Sequence, residues 1–408
     1  MWTRWLMVAA LCGSVACDGA SGVGDALDSG PGADSALMEV ADSAADAGPD
    51  AAAPLPDITV DGPFSVGFRT LEVSYTPATF DAVRSLQVAV WYPTEATSGP
   101  TATYEELVER DAVFTDAPPA GDAPFPVLVF SHGNGGIAEQ NWTLCERLAT
   151  HGWLVVAPAH KGNTFFDFDK KLDPVMFLLR PMDVSATLDA MEALAPGDPL
   201  SGRVGEHIAL AGHSFGGYTT LVVGGAALDV DFVDATCALD TSGACELWTE
   251  PRRQLALAGF RDDRFEALVP MAPSTHGGLL GEGATGSITA PTLMMTGDLD
   301  LTTPDATNGD ILWGGMVGSQ HLRLGFPTAG HYTFSNACEL GLGVGADDGC
   351  GEAFIARDRA LAILDAFTLG WLRYHLMGDA SVLPLLDGED PLADGLVLSR
   401  PTTSSQIR

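Results

Sequence analysis

The segment from Ile208 to Tyr218 reads IALAGHSFGGY and places a serine between two glycines. An apolar, strand-like run precedes this G-x-S-x-G pattern and a helix-like run follows it, which is the context in which the motif presents a nucleophile. The sharp turn requires a strained serine backbone, and Gly212 and Gly216 must lack a Cβ so that strand and helix can pack. Ser214 is therefore predicted to be a nucleophile at the amino end of a helix, where free N–H groups stabilise negative charge. The alternative is a chance match in a glycine-rich chain.

A serine hydroxyl is a weak nucleophile, and it needs a histidine base that is itself oriented by a carboxylate. Asp300 lies just after an apolar strand-like run, three residues beyond Gly297, and His331 follows the last such run. Both positions are carboxyl ends of predicted strands, where open α/β sheets bind their ligands. The predicted catalytic residues are therefore Ser214, Asp300 and His331, and Asp298 is the alternative acid.

A tetrahedral intermediate needs two N–H donors aimed at its oxyanion. The backbone N–H of Phe215, the residue after the nucleophile, is the first candidate. The second is expected in the loop His132–Gly136, which follows the apolar run Phe125–Phe130; we assign Asn134, with Gly133 as the alternative. This chemistry requires no metal ion and no organic cofactor, and no Cys-x-x-Cys or His-rich spacing suggests zinc.

The remaining histidines that could compete for a catalytic role are assigned from their positions. His321 begins a strand and His375 lies on the final helix, so that both are expected to be structural. His132 and His213 flank turns and are expected to pack there. His160 ends a strand, and the sequence favours neither of two roles for it: it could line the pocket, or it could be structural.

The elements that must position these residues alternate between strand and helix, which predicts a mostly parallel sheet with helices on both faces. Segments 66–75 and 86–92 alternate in polarity and are predicted to be antiparallel edge strands. Residues 94–123 are predicted to be irregular, with a short helix at 104–110. Residues 229–264 are expected to form a cap-like insertion over the carboxyl ends of the strands. Further strands are predicted at 125–130, 154–158, 265–272, 291–296 and 321–326, and helices at 138–151, 181–194 and 353–377.

The amino-terminal region is predicted to be an export signal followed by a tether. Residues 1–16 contain one arginine and an apolar run too short to span a bilayer. The sequence before Cys17 resembles a bacterial lipobox, so that Cys17 is predicted to be the lipidated first residue; a plain secretory signal is the alternative. Residues 17–61 are predicted to be a disordered acidic tether, because they are rich in Ala, Asp and Gly and contain no Lys or Arg. An α/β domain is expected at 62–380 and a tail at 381–408.

Charge and cysteine content limit the partners and the compartment. The chain has 408 residues, and its 54 acidic and 20 basic side chains give a net charge of −34, which argues against binding to nucleic acid or to an anionic membrane surface. Membrane contact is therefore expected only through the amino-terminal lipid anchor. Two close cysteine pairs, Cys237–Cys245 and Cys338–Cys350, are predicted disulfides of an oxidising compartment. Cys145 is expected to be a buried free thiol.

Residues 125–375 resemble the α/β-hydrolase fold, and within it the bacterial branch similar to platelet-activating-factor acetylhydrolase and dienelactone hydrolase-like esterases. The motifs that carry the resemblance are VFSHG at 129–133, PAHKGNT at 158–164, RPMDV at 180–184, GHSFGG at 212–217, and His331 followed by a cysteine pair. The resemblance implies a serine esterase without a cofactor. Dienelactone hydrolases proper have a cysteine where this chain has Ser214. The animal acetylhydrolases take their acid from a position that reads Met271-Ala272-Pro273 here, which favours Asp300 and argues against a narrow lipid assignment.

The expected function is that of an exported, membrane-tethered serine hydrolase that cleaves carboxylic esters of small molecules or lipids through an acyl-enzyme. A platelet-activating-factor acetylhydrolase-like lipid esterase, a polyester or cutin-like hydrolase and a peptidase are the alternatives within enzymes. A non-catalytic binding protein on the same scaffold is the alternative outside them. The acyl-chain length and the oligomeric state do not follow from the sequence.

Overall fold

The computed structural model describes residues 55–401, except 172, 240–242 and 342–344. The predicted signal peptide, Cys17 and residues 17–54 of the predicted tether lie outside the described residues. The end of the predicted tether, 55–61, lies against the domain: Ile58 is buried, and the carbonyl oxygen of Pro56 accepts a hydrogen bond from Arg373.

The strands of the described residues form one mixed sheet. In chain order they are β1 (Ser65–Tyr75), β2 (Arg84–Thr94), β3 (Thr101–Tyr104), β4 (Val108–Thr115), β5 (Phe125–Ser131), β6 (Leu154–Pro158), β7 (Val204–His213), β8 (Ala267–Met271), β9 (Leu293–Gly297), β10 (Leu322–Phe326) and β11 (Val397–Ser399). Their order across the sheet is β11-β10-β9-β8-β7-β5-β6-β2-β1-β4-β3.

The six central strands, β5 to β10, run parallel to one another. Apart from the first four residues of β7, they are apolar and almost entirely buried, as expected of strands that helices cover on both faces. Because all six point the same way, the segments that follow their carboxyl ends lie along one edge of the sheet. The predicted mostly parallel α/β architecture is confirmed.

The two amino-terminal strands are antiparallel as predicted, but they are not edge strands. β2 pairs with β6, and β1 pairs with both β2 and β4. The expectation that residues 94–123 are irregular with a helix at 104–110 is wrong, since β3 and β4 form a hairpin there. Ala102, Tyr104 and Val113 from this hairpin are buried in the core, and that burial outweighs the polar character of the segment.

The helices connect the strands and cover both faces of the sheet. They are α1 (Trp142–Thr150), α2 (Met176–Glu192), α3 (Phe215–Val223), α4 (Val230–Leu239), α5 (Glu250–Ala258), α6 (Gly309–Gly314), α7 (Arg357–Met377) and α8 (Leu383–Leu386). None of the helices in the described part of the chain is long and apolar enough to cross a membrane.

No strand or helix is predicted from sequence in residues 229–264 and 381–408, but the structure has regular elements in both segments. The predicted insertion contains α4 and α5, and Cys237 on α4 forms a disulfide with Cys245. Part of the predicted tail folds onto the domain, because β11 pairs antiparallel with β10 and extends the sheet by one strand.

Candidate active site

Ser214 stands at the junction of β7 and α3, at the carboxyl edge of the sheet. Its backbone has φ 58° and ψ −115°, a strained conformation for a residue with a Cβ, as the motif predicts. A Cβ on Gly212 would lie 2.3 Å from the carbonyl oxygen of Gly216, and one on Gly216 would lie 1.8 Å from that of Ser131. Both glycines are therefore required by close backbone contacts. The Ser214 side chain is close to the surface, with 8% of the residue exposed.

His331 and Asp300 meet next to this junction, from the loops after β10 and β9. The Nδ1 atom of His331 donates to Oδ2 of Asp300 at 2.8 Å, and both residues are buried. Oδ1 of Asp300 accepts the backbone N–H groups of Thr302 (2.9 Å) and Thr303 (2.6 Å). Burial raises the pKa of Asp300, but the hydrogen bond from His331, the charge of that histidine and the donors of Thr303 outweigh it and the pKa is lowered. The carboxylate is thus ionised and holds a proton on Nδ1, which leaves Nε2 as the free base.

The competing residues lie apart from this pair. The side chain of Asp298 is exposed and forms no described contact with His331. His321 contacts the carbonyl oxygen of Val317 at 3.0 Å, and the ring of His375 lies 4.1 Å from that of Trp371. Neither histidine contacts the site, in keeping with the structural roles expected for them.

Asp348 joins the loop of the acid to the loop of the base, and the sequence analysis does not single it out. Its Oδ1 atom accepts the backbone N–H groups of His331 (2.9 Å) and Leu301 (3.0 Å), and its Oδ2 atom accepts the hydroxyl of Thr302 (2.7 Å). Asp348 lies inside the loop that the Cys338–Cys350 disulfide closes. The disulfide therefore fastens a segment that orients both catalytic loops. The one feature of the sequence that points to Asp348 is that it is an acidic residue in a loop bounded by two cysteines after His331.

Backbone N–H groups near Ser214 are the candidate donors to an oxyanion. Phe215 is the first residue of α3, so that its N–H has no partner within the helix. The N–H of Gly133 is occupied by Oε1 of Gln140 at 2.9 Å, whereas the described residues provide no acceptor for the N–H of Asn134. A Cβ on Gly133 would lie 3.5 Å from the Cβ of Ser214, so this loop abuts the nucleophile. The geometry favours Asn134 over Gly133 as the second donor.

His213 links this loop to the base. Nε2 of Gln140 donates to Nδ1 of His213 at 2.8 Å, and Nε2 of His213 donates to the carbonyl oxygen of His331 at 2.9 Å. Burial lowers the pKa of His213 to about 3, so that the ring is neutral and can accept at one nitrogen while it donates at the other. Hydrogen bonds through Gln140 and His213 thus connect the loop of Gly133, the serine turn and the loop of His331.

A second Ser–His–Asp arrangement lies beneath the first. The hydroxyl of Ser131 donates to Nε2 of His160 at 2.8 Å, and Nδ1 of His160 donates to Asp183 at 2.9 Å. All three residues are completely buried, and Arg84 pairs with Asp183 at 2.6 Å. Burial lowers the pKa of His160 to about 4. No substrate can reach Ser131, so that His160 has a structural role and does not line a pocket.

The insertion contacts the nucleophile region through aromatic rings. Trp248, just before α5, lies 6.2 Å from the ring of Phe177, and Phe177 lies 6.4 Å from that of His276. His276 stacks on Phe215 at 4.4 Å. The insertion therefore lies on the carboxyl side of the sheet, next to the serine.

Two comparisons with known proteins concern the family resemblance and the fold. A family model described as platelet-activating factor acetylhydrolase, isoform II, matches residues 103–166, which include Asn134 but not Ser214, Asp300 or His331. A ferulic acid esterase from Streptomyces cinnamoneus is similar in structure, with a TM-score of 0.60 and 21% identity over 86% of this chain and 98% of the esterase chain. This chain has the α/β-hydrolase fold. At that identity the likeness establishes the fold and leaves the substrate open. No curated protein sequence matches the chain.

Proposed function

We propose that this protein hydrolyses carboxylic esters through an acyl-enzyme on Ser214. The observation that carries the proposal is the buried pair of His331 and Asp300, at 2.8 Å, beside a serine on a strained strand-to-helix turn. Nε2 of His331 takes the hydroxyl proton as Ser214 attacks the acyl carbon, and the N–H groups of Phe215 and Asn134 bind the oxyanion. His331 then gives the proton to the departing alcohol. A water molecule, activated by the same base, releases the acid.

The preferred substrate is an ester with an apolar acyl or alcohol group. Phe165, Phe166 and Phe168 are exposed on the loop after β6, and Leu299 and Leu301 are exposed on either side of Asp300. The first loop adjoins the proposed oxyanion loop, since the N–H of Phe165 donates to the carbonyl oxygen of Gly136 at 2.9 Å. Exposed apolar side chains on the loops of the proposed oxyanion donor and of the acid suit an ester with an apolar group, and the matched family is described as platelet-activating factor acetylhydrolase, isoform II.

We further propose that the protein acts outside the cytoplasm, anchored by lipid at Cys17. Two disulfides, Cys237–Cys245 and Cys338–Cys350, support an oxidising compartment. The export signal and the lipobox-like sequence before Cys17 are the sequence features that support the anchor. Mass analysis of the mature amino terminus tests it, since an unmodified residue other than Cys17 at that terminus would contradict the anchor.

The hydrolysis proposal is tested with p-nitrophenyl esters of increasing acyl length and with a fluorophosphonate probe. Wild-type protein is expected to turn over these esters and to be labelled on one serine. Ser214→Ala is expected to lose both properties with its fold intact, because no acyl-enzyme can form. Ser131→Ala is the matched control for labelling, because its buried hydroxyl is inaccessible, and it should still be labelled.

Retention of turnover within tenfold of wild type by Ser214→Ala would overturn the mechanism. Labelling of Ser214 without turnover of any ester in the series, but with cleavage of peptides, would replace the esterase proposal by a peptidase. Faster turnover of acetyl than of longer esters would support an acetylhydrolase-type pocket.

A further inference from the structure

Arg180 is a buried cation next to the proposed oxyanion loop. It lies on α2 and is completely buried. Its guanidinium donates to the carbonyl oxygens of two consecutive residues, to His132 through Nη1 and to Gly133 through Nη2 at 2.9 Å. Its Nε and Nη2 atoms donate to Oδ1 of Asn163, at 3.1 and 2.6 Å. Apart from a 3.4 Å contact between Nη2 and Nδ1 of His132, every described partner of this cation is a neutral oxygen.

The nearest buried carboxylate is engaged elsewhere. Asp183 accepts two hydrogen bonds from Arg84, at 2.6 and 2.8 Å, and others from Tyr75 (2.6 Å) and His160 (2.9 Å). Among the described residues no carboxylate forms an ion pair with Arg180. Burial lowers the pKa of Arg180 to about 9, which still leaves the guanidinium charged at neutral pH. The charges of Asp183 and Asp173 act on Arg180 only from beyond ion-pair distance. A buried charge without a carboxylate in direct contact is costly, so its retention calls for a role.

The position of Arg180 determines which way two peptide units face. In a trans peptide unit the carbonyl oxygen and the following N–H point in opposite directions. Arg180 holds the carbonyl oxygens of His132 and Gly133, so that the N–H groups of Gly133 and Asn134 face away from it. The first of these N–H groups is bound by Gln140 and the second has no described acceptor.

The same guanidinium also contacts the groups on either side of the loop. Its Cζ atom lies 4.3 Å from the ring centre of Phe215, the residue that carries the other N–H donor. Asn163, which accepts from Arg180, donates through Nδ2 to the side-chain oxygen of Asn134 at 2.8 Å. One buried side chain therefore contacts Phe215 directly and Asn134 through Asn163.

We propose that Arg180 is a positioning residue that sets the oxyanion hole, by holding the carbonyl oxygens of His132 and Gly133 so that the Asn134 N–H faces the oxyanion formed at Ser214. The inference rests on the proposed hydrolytic function. A lysine cannot replace the arginine fully, because the planar fork reaches several oxygens at fixed angles and an ammonium group is a point donor. The carbonyl oxygen of Gly133 also accepts from the His132 ring (2.7 Å) and from the Gly136 N–H (3.1 Å), so that loss of Arg180 loosens the loop without removing every restraint.

The test compares Arg180→Met and Arg180→Lys with Arg373→Lys as a matched control. Arg373 is also buried and donates to a carboxylate and a carbonyl oxygen, but it lies on α7, away from the oxyanion loop. Folding is checked by circular dichroism, and active sites are counted with a fluorophosphonate. The two readouts are kcat and KM for a nitrophenyl ester, and the affinity for a trifluoromethyl ketone, which forms a hemiketal oxyanion on the serine.

Loss of one oxyanion donor costs about 10²- to 10³-fold in kcat in other hydrolases. With two other restraints left on Gly133, Arg180→Met is expected to lower kcat by about 10- to 100-fold, with KM changed less than threefold. Affinity for the trifluoromethyl ketone should fall by a similar factor, Arg180→Lys should lie in between, and Arg373→Lys should resemble wild type.

A folded Arg180→Met with kcat within threefold of wild type would overturn the proposal. So would a loss of kcat with unchanged affinity for the trifluoromethyl ketone, since a purely structural defect would not act through the oxyanion. If Arg180→Met does not fold, Arg180→Lys decides by the same two readouts. Absence of esterase activity in wild-type protein would instead refute the proposed function, which separates the two failures.

Discussion

Asp300→Asn is the substitution whose effect follows most directly from the hydrogen bonds of the site. The two oxygens of the carboxylate have different partners. Oδ1 accepts the backbone N–H groups of Thr302 and Thr303, whereas Oδ2 accepts Nδ1 of His331 and the hydroxyl of Thr303. An asparagine must keep its oxygen at the first position, because two N–H donors cannot face an amide NH2 group. Its NH2 group then points at Nδ1 of His331, which must become an acceptor.

That rearrangement moves the imidazole proton to Nε2, the nitrogen that has to accept the hydroxyl proton of Ser214. The base is therefore present in the wrong tautomer, and the imidazolium formed in the reaction has lost its counter-ion. The corresponding change in a serine protease lowers kcat by about 10⁴-fold, which is about 5.5 kcal/mol in activation free energy. We expect a loss of this order here, with KM little changed.

The assay is turnover of a nitrophenyl ester at neutral pH, normalised to folded protein, with Asp298→Asn as the matched control. Asp298 lies two residues away and its side chain is exposed, so that the control should stay within threefold of wild type. Turnover by Asp300→Asn within tenfold of wild type, or a greater loss in Asp298→Asn, would refute the assignment of the acid.

Two further predictions concern stability. Gly216→Ala would bring a Cβ to 1.8 Å from a backbone carbonyl oxygen of β5. It should therefore lower the free energy of unfolding by at least about 3 kcal/mol and abolish soluble expression. The control is Gly314→Ala, which has no atom within 4 Å of its Cβ and should match wild type in thermal unfolding. Replacing Cys338 and Cys350 by serine should cost about 3 kcal/mol in denaturant unfolding, the loop-closure entropy expected for a separation of 12 residues. It should also lower kcat, because the closed loop carries the carboxylate that joins the acid and base loops; equal stability and turnover would show that the loop is held without the disulfide.

Local patterns were sufficient for the framework of the protein. Continuous apolar runs predict the central strands other than β7 to within about two residues, since a strand buried on both faces must be apolar along its length. β7 begins four residues before its apolar run, at Val204. The hairpin of β3 and β4 was not predicted, because its strands are mostly polar and only Ala102, Tyr104 and Val113 reach the core. Such a segment acquires its structure from the neighbouring strand it pairs with, β1.

The candidate nucleophile, acid and base were also predictable, because each follows a strand in a recognisable local motif. Ser214, Asp300 and His331 needed only the rule that parallel strands bring their carboxyl ends together. The second candidate oxyanion donor could be narrowed to Asn134 or Gly133. The hydrogen bond from the Gly133 N–H to Gln140, seven residues away, favours Asn134.

The sequence by itself predicted the kind of chemistry, through residue types that the serine turn and the strand ends require. Only the tertiary structure determined which polar residues can take part in it. The residue types and hydrogen-bond distances of a catalytic triad are also found in Ser131, His160 and Asp183, yet all three residues are completely buried. Asp348 lies in no motif, and the RPMDV motif that begins with Arg180 gives that arginine no role. Both residues contact the loops of the site from positions distant in the chain. Burial and long-range hydrogen bonds are properties of the folded chain, and no local pattern of residues specifies them.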